Sequence, residues 1–231
     1  MPTLRLLCYN VRSLRDDSDA VARIIRDCEP HVVCLQEAPR FLRWRAKGAA
    51  LARRSGLVVV VGGRRAAANL ILSSLAVDVV ATHDVLFSKD HRLHRRGTAM
   101  AVLSFDGARF AVAGIHLDLV EEPRRRHVGE LHTALDEHVP ADVPVIVAGD
   151  INDVPGSACW RQLETRGEDV WAKAGRGDGA TFSAKHPNKR IDAVFADRRL
   201  RVVSAQVIAT ADVARASDHR PLLVELDLGG R

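Results

Sequence analysis

The chain has 231 residues, 47% of them hydrophobic and 27% charged, with a formal net charge of +5. This is enough apolar material for one large α/β domain spanning 1–231, whereas two domains would each be small; no apolar run reaches the roughly 18 residues of a membrane span. Lys supplies only five of the 34 basic residues, so the charge permits a polyanionic partner without demanding one.

Residues 3–9 read as a strand, and residues 18–28 as an amphipathic helix with Ala20, Val21, Ile24 and Ile25 on one side. A second buried strand follows at 31–35. A basic helix from about Phe41 to Arg54 closes at Gly56. Strands are expected at 57–61, 70–72, 77–81, 99–104 and 109–115, with Asp106-Gly107 turning a tight hairpin. A helix from about Arg124 to His138 carries Val128, Leu131 and Leu135 at helical spacing, and strand 143–148 comes next. Residues 150–189 are rich in Gly and read as loop, before closing strands near 191–196, 201–208 and 221–227. About ten strands and three helices, mixing hairpins with βαβ-like connections, point to mixed sheets covered by helices.

Several apolar runs end on polar groups that suit no strand interior. Residues 4–9 end at Asn10, 32–35 at Gln36-Glu37, 110–115 at His116 and 143–148 at Gly149-Asp150-Ile151-Asn152-Asp153. Asp192 opens one late strand, and Ser217-Asp218-His219-Arg220-Pro221 precedes another. Strand ends are where open α/β sheets keep their chemistry. Four acids and two amides, with two imidazoles beside them, supply hard oxygen donors suited to Mg²⁺, Mn²⁺ or Ca²⁺ rather than zinc. Each motif has an ordinary alternative: Asp150 to Asp153 ahead of Pro155 makes a good turn, and so does Asp218-His219 ahead of Pro221.

Taken in order, Tyr9-Asn10-Val11, Gln36-Glu37, Gly114-Ile115-His116-Leu117, Gly149-Asp150-Ile151-Asn152, Arg190-Ile191-Asp192 and Ser217-Asp218-His219-Arg220-Pro221 resemble the endonuclease/exonuclease/phosphatase superfamily, whose members include deoxyribonuclease I-like enzymes. The resemblance runs from residue 10 to 221. It implies a four-layer sandwich of two mixed β-sheets flanked by helices, and divalent-metal-dependent cleavage of a phosphate ester, with DNA and RNA among the candidate substrates. It further implies Glu37 and Asn10 as metal ligands with Asp218 as another, Asp150 as the group that activates water, and Asn152 as its positioner. His219 would contact the phosphate with Asp192 behind it, and His116 would touch phosphate or leaving group. One position departs from the pattern of abasic-site endonucleases: Arg12 stands where they carry an acid, which favours a generic phosphodiesterase site and makes Arg12 a candidate for the substrate phosphate.

Arg96, with His91, His94 and Arg95, forms a candidate substrate-facing loop, whereas Arg124-Arg125-Arg126 reads as a solvated helix start. Trp44, Trp160 and Trp171 read as packing residues, and Thr181 and Lys185 are open between cleft rim and elsewhere. Four cysteines without CxxC spacing and the lack of a leader pattern lead to an expected cytoplasmic location. The rival functions are a small-substrate phosphatase, a lipid head-group phosphodiesterase, and a silent nucleic-acid-binding member. Neither the oligomeric state nor the substrate is legible.

Overall fold

The protein is described from a computed structural model, which covers residues 2–177 and 179–229. In the first half, strands β1 (Thr3–Asn10), β2 (Val32–Gln36), β3 (Val58–Gly63) and β4 (Asn69–Ser73) alternate with helices α1 (Ser18–Asp27) and α2 (Trp44–Arg54). Then come β5 (Val77–Leu86), β6 (Gly97–Phe105), β7 (Ala108–His116), α3 (Glu121–His138) and β8 (Val145–Asp150). The chain finishes with α4 (Ala158–Glu164), β9 (Glu168–Asp169), α5 (Val170–Ala174), β10 (Asp192–Ala196), β11 (Arg201–Val207), α6 (Val213–Ala216) and β12 (Leu222–Asp227).

The strands form two six-stranded sheets, in the orders β11-β12-β1-β2-β4-β3 and β5-β6-β7-β8-β10-β9. Both are mixed. β1 runs parallel to β2 and β7 parallel to β8, while the other pairs are antiparallel. Side chains alternate across a strand, so each sheet has one face for its partner and one for helices. Leu4, Leu6, Cys8, Val32 and Cys34 of the first sheet meet Ala101, Leu103, Phe110, Val112 and Ile146 of the second in one central core. The alternate residues Leu7, Tyr9, Val33 and Leu35 pack instead under Val21, Ile24 and Ile25 of α1 and Leu51 of α2. Ala113, Ile115, Val147 and Phe195 pack under Val128, Leu131 and Leu135 of α3 and Trp160 and Leu163 of α4. Four layers follow: helices, sheet, sheet, helices. Each fully buried Leu or Ile in them contributes about 1.5–3 kcal/mol.

Local chemistry sets the boundaries. Asp17 caps α1 by accepting from the Asp19 and Ala20 amides. The Asp106-Gly107 turn closes the β6–β7 hairpin as expected, with Phe105 paired to Ala108 and both turn residues at positive φ. Helix α3 starts at Glu121 rather than Arg124, because Pro123 fits a first turn and the two glutamates favour the positive helix end. Strand β5 runs on to Leu86, since its polar outer residues belong to a half-exposed strand.

The largest departure is residues 150–189. This stretch contains α4, β9 and α5, so the described residues hold twelve strands and six α-helices instead of ten and three. The helices have seven and five residues, too short for a periodic signal, and are fixed by Ser157 and Asp169 caps. Asp169 also accepts from the indole of Trp160 at 3.1 Å and pairs with Arg190. Trp160 and Trp171 are buried, as packing residues should be. No helix among the described residues is long and apolar enough to cross a membrane.

Candidate active site

Strand register places the polar groups. Where parallel β7 and β8 end, His116 pairs with Asp150; β10 lies antiparallel beside them and pairs Asp192 with the same Asp150. Three chemical groups thus share one row across three adjacent strands. In the other sheet the row is Asn10 beside Gln36, with Glu37 one residue on. Gly149 permits the close approach, because a Cβ there would sit 2.0 Å from the Ile115 carbonyl oxygen. Glu37 and Asn152 each adopt a left-handed backbone (φ 51° and 53°), an unfavourable conformation that concentrates at functional sites.

Asp150 is the hub. Its Oδ2 accepts from Asn10 Nδ2 at 3.0 Å and lies 3.5 Å from His116 Nε2 and 3.7 Å from His219 Nε2. Its Oδ1 accepts from the Asn152 amide at 3.0 Å. Asn10 also donates to Glu37 Oε1 at 3.3 Å, within its own sheet, so that its bond to Asp150 is the one that crosses between the sheets. His219 Nδ1 meets Asp192 Oδ2 at 2.8 Å. The Ser217 hydroxyl donates to the Asn10 carbonyl at 2.7 Å and so ties the His219 loop to β1. Asn152 spends its amide nitrogen on the Leu117 carbonyl at 3.0 Å, which leaves its amide oxygen for other partners.

Burial and charge drive the titrating groups apart. Burial and the neighbouring Asp192 charge push the Asp150 carboxyl up to about 7, against the pull of His219, Asn10 and the Asn152 amide. Burial alone would depress His219. Asp192, by charge and hydrogen bond, outweighs it with Asp150 and Asp218 behind, and lifts the imidazole to about 10. His116 goes the other way: burial, then the nearby Arg96 and His219, hold it well below the ordinary histidine value. One imidazolium and one neutral imidazole therefore flank a carboxyl poised near neutrality.

The cleft over these groups has a volume of about 450 Å³ and is lined by Glu37, Arg96, His116, Asp150, Asn152 and His219. Ser13, Arg15, Arg40, Phe41, His94 and Leu119 extend it outward. Arg96 is buried with a hydrogen-bond-free Nε, 3.6 Å from Asp118. Burial lowers its guanidinium from the ordinary value, with Asp118 and Asp150 pulling back. Arg12 lies outside this lining, pairing with Asp16 at 3.3 Å and with Asp218 at 3.5 Å. The acid absent from position 12 is thus replaced by a cation that neutralises Asp218. His91 and Arg95 are exposed away from the cleft lining, as is Lys185, whereas Thr181 is fully buried.

The expected solvated start of α3 is overturned at Arg124. Its guanidinium is buried, pairs with Asp153 at 3.0 Å, and donates to the Asp118, Leu119 and Asn152 carbonyls. Carbonyls left open by two loops recruited it, and no run of arginines announces that. Thr181, left open in the sequence, proves a buried support for the site, and Phe182 beside it escaped the sequence signal. Thr181 accepts from the Ile191 and Asp192 amides and sets the start of β10, and the Phe182 ring lies 5.0 Å from that of His219.

The donor set fits a hard divalent cation. The Glu37 and Asp150 carboxylates line the cleft, and Asp192 Oδ1 is buried without a partner, which supplies oxygen donors of the kind such an ion takes. Asp150, Asp192 and His219 each place a ligating atom within 4.8 Å of the others. His219 is held as an imidazolium, however, and has no lone pair to give, so the carboxylates, with Glu37 and the Asn10 amide, are the better holders.

The sequence model of the Endonuclease/Exonuclease/phosphatase family matches residues 7–219. No curated protein sequence matches the chain. Among solved structures, an endonuclease/exonuclease/phosphatase from Bacteroides vulgatus superposes with TM-score 0.83 at 21% identity, over 99% of this chain and 100% of that one. A mannosyl-6-phosphatase from Bacteroides thetaiotaomicron gives 0.82 at 16% identity over 97% and 99%. D. rerio TDP2, complexed with single-strand DNA product, gives 0.77 at 18% identity over 98% and 100%. With a family match across nearly its whole length and the site motifs at the strand ends, the chain belongs to the endonuclease/exonuclease/phosphatase family.

Proposed function

We propose that this protein is a divalent-metal-dependent phosphoesterase, a phosphodiesterase of nuclease type, that cleaves a P–O bond by attack of an activated water. The observation that carries the reading is Asp150, a buried carboxyl pushed up to about 7 between an imidazolium and a neutral imidazole. A base of that strength works at neutral pH.

In this reading Asp150, oriented by Asn10 and the Asn152 amide, takes the water proton. The water oxygen bonds to phosphorus as the bond to the leaving oxygen breaks. His219, oriented and kept protonated by Asp192, donates from Nε2 to a phosphoryl oxygen and neutralises the charge that builds there. His116 and Arg96 contact the phosphate or the leaving group, Arg12 restrains Asp218, and Asn152 positions water. Glu37 and Asn10, with Asp218 as a further donor, would hold Mg²⁺, with Mn²⁺ or Ca²⁺ as alternatives. When bound, the ion supplies charge neutralisation at the phosphate and a more acidic water. Four free, buried cysteines accord with a reducing compartment such as the cytoplasm.

One observation favours a phosphomonoesterase as the second reading. Arg96 adds a buried guanidinium with a hydrogen-bond-free Nε to the cleft that His219 lines, and a terminal phosphate dianion would use both. The test compares supercoiled plasmid, bis-p-nitrophenyl phosphate and p-nitrophenyl phosphate with Mg²⁺, Mn²⁺ or EDTA, using Asp150→Asn as control. Cation-dependent diester cleavage lost in the variant supports the first reading, and turnover of the monoester alone supports the second. No turnover of any ester would sink both.

A further inference from the structure

Two large apolar side chains at the cleft do nothing for the core. Phe41, in the loop after β2, is 73% exposed, and Leu119, in the loop after β7, is 74% exposed. One belongs to each sheet, both line the cleft that holds Asp150 and His219, and each follows its strand's reactive residue by only three or four positions. A side chain of this size left in water forgoes the stabilisation that burial would bring, so its position calls for a partner.

The chemistry around them narrows that partner. The Arg40 guanidinium sits 5.2 Å from the centre of the Phe41 ring and covers part of it. The rest of the ring stays open beside Arg15 and His94. A flat ring gains most from stacking on an aromatic face flanked by cations, and the negative phosphate of the same molecule uses those cations. A sugar would leave the two apolar groups wet. A lipid chain would need a longer apolar channel than this charged cleft of about 450 Å³ provides.

We infer that Phe41 and Leu119 form an aromatic-ring clamp, and that the substrate is a phosphate ester bearing a nucleobase-like ring next to the scissile phosphate. The inference rests on the phosphoesterase reading for its reaction but not for its binding step, and two readouts keep them apart.

The first readout is binding. Calorimetry compares thymidine 5′-phosphate with deoxyribose 5-phosphate on the wild type, Phe41→Ser and Leu119→Ser, with Leu75→Ser as a remote control at an 85% exposed position. The wild type should prefer the base-bearing phosphate by roughly 10-fold or more, the worth of one stacked base. Either cleft variant should erase that preference, while Phe41→Trp keeps it. The second readout is kinetic, using the dinucleotide dTpT and its analogue with one base deleted. The KM for dTpT should rise roughly 10-fold in Phe41→Ser, with kcat and the base-less ester little changed.

Equal affinity of the wild type for the two phosphates would overturn the clamp, as would equal losses on both esters. Flotation on phosphatidylglycerol vesicles that depends on Phe41, without any base preference, would replace it with a lipid surface. Base-selective binding with no turnover of any ester would keep the clamp and remove the phosphoesterase reading instead.

Discussion

Asp192 Oδ2 lies 2.8 Å from His219 Nδ1, and both side chains are almost fully buried. The contact fixes which ring nitrogen faces the cleft and favours the charged ring. Asp192→Asn should remove the charge but keep the shape. Turnover is expected to fall on the order of 10²–10⁴-fold, as for other carboxylate-supported histidines. The sign follows from the shift: without the carboxylate, His219 loses its proton more easily, so the alkaline limb of the pH–rate profile moves to lower pH. An unmoved limb would mean that His219 is not the group whose protonation matters.

On the proposed mechanism Asp150 trades stability for chemistry. Its carboxyl is desolvated and faces the Asp192 charge. Asp150→Asn removes that repulsion, so turnover should fall by about 10³-fold or more while the midpoint of thermal unfolding in EDTA stays level or rises. A lower midpoint with activity retained would reverse the assignment.

Stability should depend on pH and cation together. Without a divalent ion the folded Asp150 holds its proton up to about 7, whereas the unfolded carboxyl releases it near 4, so its contribution is lost as pH rises through that window. The His219 contribution is fully present below about 6.5 and is lost as pH rises through about 10. A bound cation needs ionised carboxylates and stabilises the folded state by mass action. Unfolding midpoints with and without Mg²⁺ should therefore differ more at pH 8.5 than at pH 5.5. A cation effect independent of pH would place the ion elsewhere.

Arg96 separates substrate binding from stability. A buried guanidinium whose ion-pair partner, Asp118, lies 3.6 Å away carries a desolvation cost, and Gln keeps a donor for Asp118, so Arg96→Gln should move the unfolding midpoint little. The same variant should raise KM by about 10-fold or more, and Arg96→Lys should restore little, because a point charge replaces a fork. Unchanged KM would remove Arg96 from the substrate's reach.

Arg124 should behave in the opposite way. Losing its partner strands Asp153 and three carbonyls, so Arg124→Ala should cost about 3–5 kcal/mol, or roughly 6–20 °C in the unfolding midpoint for a chain of this size. Asp153→Asn added to it should recover part of that loss. Full additivity of the two changes would show that they do not interact.

What could be seen in the sequence divides along a physical line. Asn10, Glu37, His116, Asp150, Asp192 and His219 stand at the ends of apolar runs, and a strand that must bury its residues betrays any polar group at its edge. The sheets and the long helices follow from period and length. The Arg124–Asp153 pair joins residues from different elements whose meeting depends on tertiary packing. Helices α4 and α5 are held by caps and by the Trp160–Asp169 contact rather than by periodicity. The αL backbone of Glu37 leaves no mark either, whereas Asn152 is of a residue type that favours it.

On the proposed mechanism, the pairing of His116 with Asp150, and of Asp150 with Asp192, would make catalysis an all-or-nothing gauge of correct assembly. A one-residue slip of β8 would turn Asp150 to the opposite face and leave the row without its middle member. Asn10 reaches the hub from the other sheet, so a molecule with one finished sheet and one unfinished sheet scores zero. In a refolding experiment, recovered turnover per mole would then count native molecules, while circular dichroism would also count misregistered ones. The gap between the two signals would measure how often the chain folds to the wrong alignment.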